Sequence, residues 1–280
     1  MSSSVDHRSP ASERAARRRH LPLTGVLFWA AVTAIAVFVL APLLVVAASA
    51  VTSTGYLTFP PQGFSLEWFG AAFRNSSFID GLATSVRLGL LATAICVVCG
   101  TLAAYAIARV PGRLTAWLEQ VFLSPLLLPS AVLGLGLLQV LSLSGWRGYF
   151  LGGLLAHVIV ASPFVVRAVL AGLRQMDPRI VEASQSLGAG PVRTFLTVVL
   201  PSIGPSIASG AVFAFVISFD EAVVTLFLVG PQFETLPVTI FTYVQYSNDP
   251  SVAAISTVIV IFCAVLVGVM NKLQGGKSER

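Results

Sequence analysis

The chain has 280 residues, 56% hydrophobic and only 10% charged, with a mean hydropathy of +0.87. Water-soluble domains carry about 25% charged residues, so this composition excludes an ordinary soluble domain and points to a membrane protein. The net charge of +5 does not describe a nucleic-acid-binding surface, because the basic residues sit scattered at the ends of apolar runs.

In chain order, residues 1–22 are Ser/Arg-rich and read as a disordered basic segment. The first apolar run, Leu23–Val51, follows RAARRRH. A cleaved export signal has an apolar region of about 7–15 residues, so the longer run here predicts a retained first span rather than a signal peptide or a twin-arginine leader. Five more runs approach the ~20 residues that a crossing needs: Leu82–Ala108, Trp117–Leu141, Leu151–Leu173, Ile203–Val229 and Val252–Met270. Each is expected to be helical, since backbone polar groups in lipid must pair within their own segment. The expected fold is therefore an all-α membrane protein of six transmembrane helices. Its transmembrane domain covers 23–271, with a polar loop over 174–202 and a short tail over 272–280.

Basic residues set the expected orientation. With a cytoplasmic N-terminus, fourteen Lys and Arg fall on the inner side and three (Arg74, Arg87 and Arg147) on the outer. Both termini and the 174–202 loop are then cytoplasmic. The outer loops, Thr52–Gly81, Ser142–Phe150 and Gly230–Ser251, are expected to be packed, because the first and last are rich in Pro, Gly and aromatic residues. Asn75-Ser76-Ser77 fits a glycosylation acceptor, a match of little weight.

Several motif-like spellings carry no chemistry. Cys96-Val-Val-Cys99 lies in an apolar run, where neither a thiolate nor a metal ion is well solvated, and reads as two small packing side chains. Gly276-Lys277-Ser278 imitates the end of a phosphate-binding loop, but Asn271 occupies the place of its first glycine and no strand precedes it. The histidines His7, His20 and His157 are far apart. No catalytic or metal-ligand spacing is present, so if this chain drives anything uphill the energy has to come from a gradient or another subunit.

The polar loop carries the most information. Asp177 is an expected N-cap and Pro178 the first residue of a short helix that passes through Glu182 and Ala183 and stops at Gly188. A second helical piece, Val192–Val199, leads to Pro201. Small side chains (Ala183, Ser184, Ser186 and Ala189) allow another surface to approach the backbone. The residues alone leave open a docking site or a polar connector without a partner.

The segment EASQSLGAGPVRTFLTVVLP resembles the EAA loop of binding-protein-dependent ABC transporter permeases. Glu182-Ala183-Ser184, Gly188 and Val198-x-Leu200-Pro201 fall in register with that pattern, with Ser184 replacing Ala and Val198 replacing Ile. The runs AHVIVASPFVVRAVLAGLRQMDP, FAFVISFDEAVVTLFLVGPQFETLP and SPLLLPSAVLGLGLL resemble spermidine/putrescine-type permeases. Relatives that carry ferric iron, phosphonates or opines are similar too. The resemblance implies a type I ABC importer permease fold in a prokaryotic inner (plasma) membrane. It implies that Asp177, Pro178, Glu182, Ala183, Ser184, Gly188, Leu200 and Pro201 form the loop that docks on a cytoplasmic ATPase. The implied partners are that ATPase, a second permease subunit and an extracytoplasmic substrate-binding protein, with the bilayer around them. ATP and Mg would be bound by the ATPase and no cofactor by this chain.

Asp220 and Glu221 stand out, because a carboxylate at membrane depth costs about 2.5–3.5 kcal/mol to insert. Asp220, with Phe213, Phe215, Phe219 and Phe227 nearby in sequence, is a candidate way-station for an organic cation. The alternatives are a structural pair with Arg87 and, for Glu221, simple reach to the outer headgroups. Phe219 and His157 join the candidate path, although His157 reads first as a hydrogen-bonded packing residue rather than a proton relay. Pro125, Pro129 and Pro163 are expected to kink their helices, and Gly134-Leu135-Gly136 to permit close helix contact. The rival reading from another class is a gradient-driven transporter or channel with Asp220 and His157 relaying protons.

Overall fold

The computed structural model describes residues 23–110, 112–230 and 233–275. The expectation of disorder over 1–22, and the part of the tail beyond 275, lie outside those residues. The chain divides into two compact units between Val45 and Val46. That division falls within α1 (Leu23–Ser49), an apolar helix with Pro42 inside it.

Among the described residues the body that follows contains helices and connecting segments but no strand, only one isolated bridge, Gly230 with Phe233. Its elements are α2 (Glu67–Arg74), α3 (Ser76–Arg109), α4 (Arg113–Leu123), α5 (Ser130–Leu143), α6 (Phe150–Gln175), α7 (Pro178–Ser186), α8 (Pro191–Thr194), α9 (Leu200–Ser202), α10 (Gly204–Asp220), α11 (Val223–Leu228), α12 (Leu236–Tyr246) and α13 (Ser251–Gly275). Four helices are individually long and apolar enough to cross a membrane, and the count reaches six when each of two bent pairs is taken as one span.

The first of those pairs carries the kink expected at Pro125 and Pro129, and the second corrects a run read as one helix. The run Trp117–Leu141 is bent by 109° between Arg113–Leu127 and Ser130–Leu143. Pro125 lies in a 3-10 turn, Ser124–Leu127, and Pro129 stands at the N-cap of α5 with ψ 132°, so the chain leaves the helical region there. Pro163, by contrast, lies inside an uninterrupted α6. The run Ile203–Val229 is also not one helix. It enters through a 69° bend after Pro191–Ser202, flanked by Pro201 and Pro205, and it stops at Asp220, where Glu221 is extended (φ −70°, ψ 96°).

The core is the mutual packing of α3, α6 and α10. Cys96, Ala104, Ala161, Val165, Val166, Val169 and Ala214 are all buried in it. Small residues set the approach of the helices. A Cβ on Gly210 of α10 would sit 3.0 Å from the Cα of Val165 in α6, and one on Gly100 of α3 would sit 3.1 Å from the Val165 side chain. In hydrocarbon such close packing supplies attraction that the hydrophobic effect cannot. Gly134 works similarly against the Phe227 ring of α11, whereas Gly136 faces open space. The Cys96 thiol is buried and meets the Val158 carbonyl at 3.5 Å, while Cys99 is exposed, so the C-x-x-C spelling is a packing feature.

At the end of the body away from α7, the connections are packed as expected. The Trp68 indole N–H donates to the Thr52 carbonyl at 2.8 Å, and the Leu57 N–H to the Asn248 carbonyl at 3.0 Å. Asn75 has a structural role there. Its Oδ1 caps α3 by accepting from the Ser77 N–H at 3.0 Å, and its Nδ2 donates to the Tyr243 hydroxyl at 2.8 Å.

Candidate functional site: the α6–α10 loop and the broken fifth span

The loop between α6 and α10 folds as the sequence predicts. The Asp177 carboxylate accepts the Arg179 N–H at 2.9 Å, and Pro178 occupies the first turn of α7. The helix ends in a Schellman motif: Gly188 has φ +84°, its N–H donates to the Gln185 carbonyl at 2.9 Å, and the Ala189 N–H donates to the Ser184 carbonyl at 3.2 Å. Glycine is suited to this position because an L side chain at positive φ is strained by about 1–2 kcal/mol.

The loop has two faces. On the inner one, Val181 and Val199 are buried in the α3–α6–α10 core. Phe195 packs against Tyr105 of α3 with ring centroids 4.6 Å apart, and the Arg109 guanidinium lies 5.3 Å from the Tyr105 ring centroid. On the outer one, Ile180, Ala183 and Leu187 follow helical spacing and are exposed, Leu187 at 88%; Val192 and Leu196 of the segment that follows are exposed as well. Glu182 is exposed beside them. A π-helical turn, Phe195–Val199, joins α8 to α9, and Leu200-Pro201 begins the latter. The loop is therefore anchored to the transmembrane core by buried side chains and is not a slack connector.

Two contacts in this region had no sequence signal. The Ser184 hydroxyl bonds the Thr194 hydroxyl at 3.1 Å, bracing α7 against α8. Arg174, at the end of α6, forms an ion pair with Glu119 of α4 in which one guanidinium nitrogen donates to both carboxylate oxygens, 2.9 Å to each. Both are ordinary surface residue types in the sequence, and only the fold brings them together. Ser184→Ala is expected to lower the stability of the assembled protein by about 1 kcal/mol or less, because Thr194 keeps a long contact with the Ala189 carbonyl. Thermal denaturation in detergent measures this.

At the far end of α10, 17 residues and ~25 Å from the loop, lie the other predicted residues. The structure separates their environments. Asp220 is exposed at the end of α10, and Arg87 of α3 is exposed with no ion pair between them among the described residues. The Glu221 carboxylate turns back to accept the Val224 N–H at 2.9 Å and so caps α11. Phe219 is buried against Phe215 and Phe262. His157 is 1% exposed, with Nδ1 2.9 Å from the Ser218 hydroxyl and Nε2 3.0 Å from the Thr225 hydroxyl. Of the four, only Asp220 presents a free charged group; Phe219 and His157 are enclosed and Glu221 is engaged. Sequence reading passed over Ser218 and Thr225, whose small hydroxyls have no pattern of their own.

With this geometry in view, comparison with known proteins is decisive. Residues 96–277 match the family described as binding-protein-dependent transport system inner membrane component. The chain belongs to that family. It is 32% identical over 231 residues to the putrescine transport system permease protein PotI of Escherichia coli K12, covering 79% of this chain and 81% of PotI. It is 28% identical over 218 residues to the spermidine/putrescine transport system permease protein PotC of the same strain, covering 78% of this chain and 83% of PotC. Its fold is similar to that in the crystal structure of a bacterial ABC transporter involved in the import of alginate, with TM-score 0.70 and 13% identity, covering 96% of this chain and 99% of that one. Family membership makes the protein a membrane-embedded translocation subunit of an importer and not an enzyme, and it sets aside the gradient-driven transporter or channel.

Proposed function

We propose that this permease imports polyamines, spermidine or putrescine, as one of two related permease subunits that together enclose the path. A separate ATPase, holding ATP and Mg, docks on the outer face of α7, and an extracytoplasmic binding protein delivers substrate at the opposite end. Both termini and the α7 loop are cytoplasmic in this reading, supported by the bias of Lys and Arg toward that side. The observation that carries the coupling role is the two-faced α7. Its apolar outer face and capped Gly188 tip are free, while Val181 anchors it to the core.

Asp220 supports a cationic cargo over a phosphonate or another anion. An exposed carboxylate at the C-terminal, electronegative end of α10 attracts an ammonium group and repels an anion. Asp220→Asn is expected to lower spermidine uptake about tenfold with assembly intact, the size of one charge-assisted hydrogen bond. Uptake of labelled spermidine and putrescine by native cells, with and without this gene, tests the assignment. Loss restored by the wild-type chain supports it. Unchanged uptake in cells without a redundant system moves the substrate to ferric iron, phosphonates or opines.

A further inference from the structure

The break between α10 and α11 needs an explanation that Asp220 and Glu221 do not supply. A broken helix leaves carbonyls at one end and N–H groups at the other without helical partners, and at membrane depth these groups favour rejoining the helix. Something has to hold the two pieces apart.

Hydrogen-bond accounting identifies the holder. The Thr225 hydroxyl has one proton, and it donates this to the Glu221 carbonyl at 2.7 Å. It must therefore accept from Nε2–H of His157, 3.0 Å away. A neutral imidazole protonated at Nε2 carries its lone pair on Nδ1, which accepts the Ser218 hydroxyl proton at 2.9 Å. The chain runs in one direction, from Ser218 on α10 through His157 on α6 to Thr225 on α11 and the Glu221 carbonyl within the break. The Glu221 carboxylate on the Val224 N–H adds a further link. His157, Ser218 and Thr225 are all buried, so water does not replace these bonds.

We infer that His157 is a positioning residue of the translocation path: by bridging Ser218 and Thr225 it holds the break between α10 and α11 open and fixes where the Asp220 carboxylate stands. The inference rests on the reading of Asp220 as a path residue. Without the bridge, Glu221 can turn back to helical φ/ψ and join α10 to α11 in one ladder, and each residue in such a ladder turns the side chains by about 100° around the axis. Asp220 would then lose its place at a free helix end.

The test uses the complete transporter with its native ATPase and binding protein. Two quantities are read: ATP hydrolysed per spermidine imported, and the rate at which a cationic thiol reagent modifies the cysteine placed by Asp220→Cys, with Cys99 and Cys263 replaced by alanine. A transporter that is merely less abundant or partly unfolded loses hydrolysis and import together and leaves their ratio unchanged. His157→Leu is expected to raise the ratio and to change the modification rate, each about tenfold, the effect of losing buried hydrogen bonds. His157→Gln, whose amide N–H reaches toward Thr225, should restore both more fully than His157→Asn, which reaches only toward Ser218. If His157→Leu does not assemble, the comparison of Gln with Asn decides. Unchanged ratio and rate in His157→Leu, or equal loss in Gln and Asn, overturns the inference. Normal import per ATP in Asp220→Asn, with modification still dependent on His157, overturns the path reading alone and leaves His157 as the holder of the break.

Discussion

Gly188→Arg is expected to abolish substrate uptake, by about 100-fold or more, while the partner ATPase continues to hydrolyse ATP and the complex remains assembled; a loss of that size corresponds to one strong interface residue. The local cost of the substitution is modest. Positive φ strains an arginine by about 1–2 kcal/mol, and a Cβ at Gly188 meets nothing within 4 Å. The Schellman turn is therefore deformed rather than destroyed. The large effect arises in the docked state, because Gly188 stands between exposed Leu187 and the α8 segment at the tip of the outer face. Gly188→Ala should fall between, carrying the strain without the bulk. Measuring uptake and hydrolysis on the same preparation separates uncoupling from unfolding. Full transport by Gly188→Arg would remove the loop from the mechanism.

Gly210→Leu is expected to have the largest effect on the fold. Even its Cβ would lie 3.0 Å from the Cα of Val165 and 3.3 Å from the Cβ of Ala168. The first neighbour is backbone and cannot rotate away, so α6 and α10 must separate along a seam where Val165, Val169 and Ala214 are buried. Ordinary overpacking costs about 1–3 kcal/mol, and the remaining leucine atoms add to that. The variant should not accumulate in the membrane. Gly136→Leu, two residues from the packed Gly134 but facing open space, should accumulate normally. Quantifying membrane-integrated protein for the two variants checks both statements.

Much of this architecture was legible because it rests on local chemistry. Asp177-Pro178 and Gly188 bound α7 as caps bound any helix, and apolar runs marked the crossings. The departures share a cause. Hydropathy registers whether a residue suits lipid and not whether the helix continues, so the break after Asp220 passed inside the run Ile203–Val229, whereas Pro129 was an expected kink and Pro201 already stood at the end of the loop. In retrospect Glu221 followed by Val224 has the spacing of an N-cap, but capping by Glu is uncommon and the run looked continuous. The Ser184–Thr194 brace, the Glu119–Arg174 pair and the His157 bridge join residues separated by 10, 55 and up to 68 positions, and only three-dimensional packing reveals such pairs. The candidate path was accordingly the less legible site: of its four residues the structure leaves only Asp220 with a free charge.

The central claim, that the outer face of α7 receives the ATPase and passes its motion to the spans, is tested most directly by a photo-crosslinking residue at Leu187 in the assembled native transporter. Leu187 is 88% exposed, so the probe does not disturb the loop. A control probe at Tyr246, 84% exposed and at the opposite end of the body, reports nonspecific capture. The account predicts an adduct between this chain and the ATPase from position 187 and none from position 246. Absence of the ATPase adduct at 187, in a complex that still transports, would contradict it.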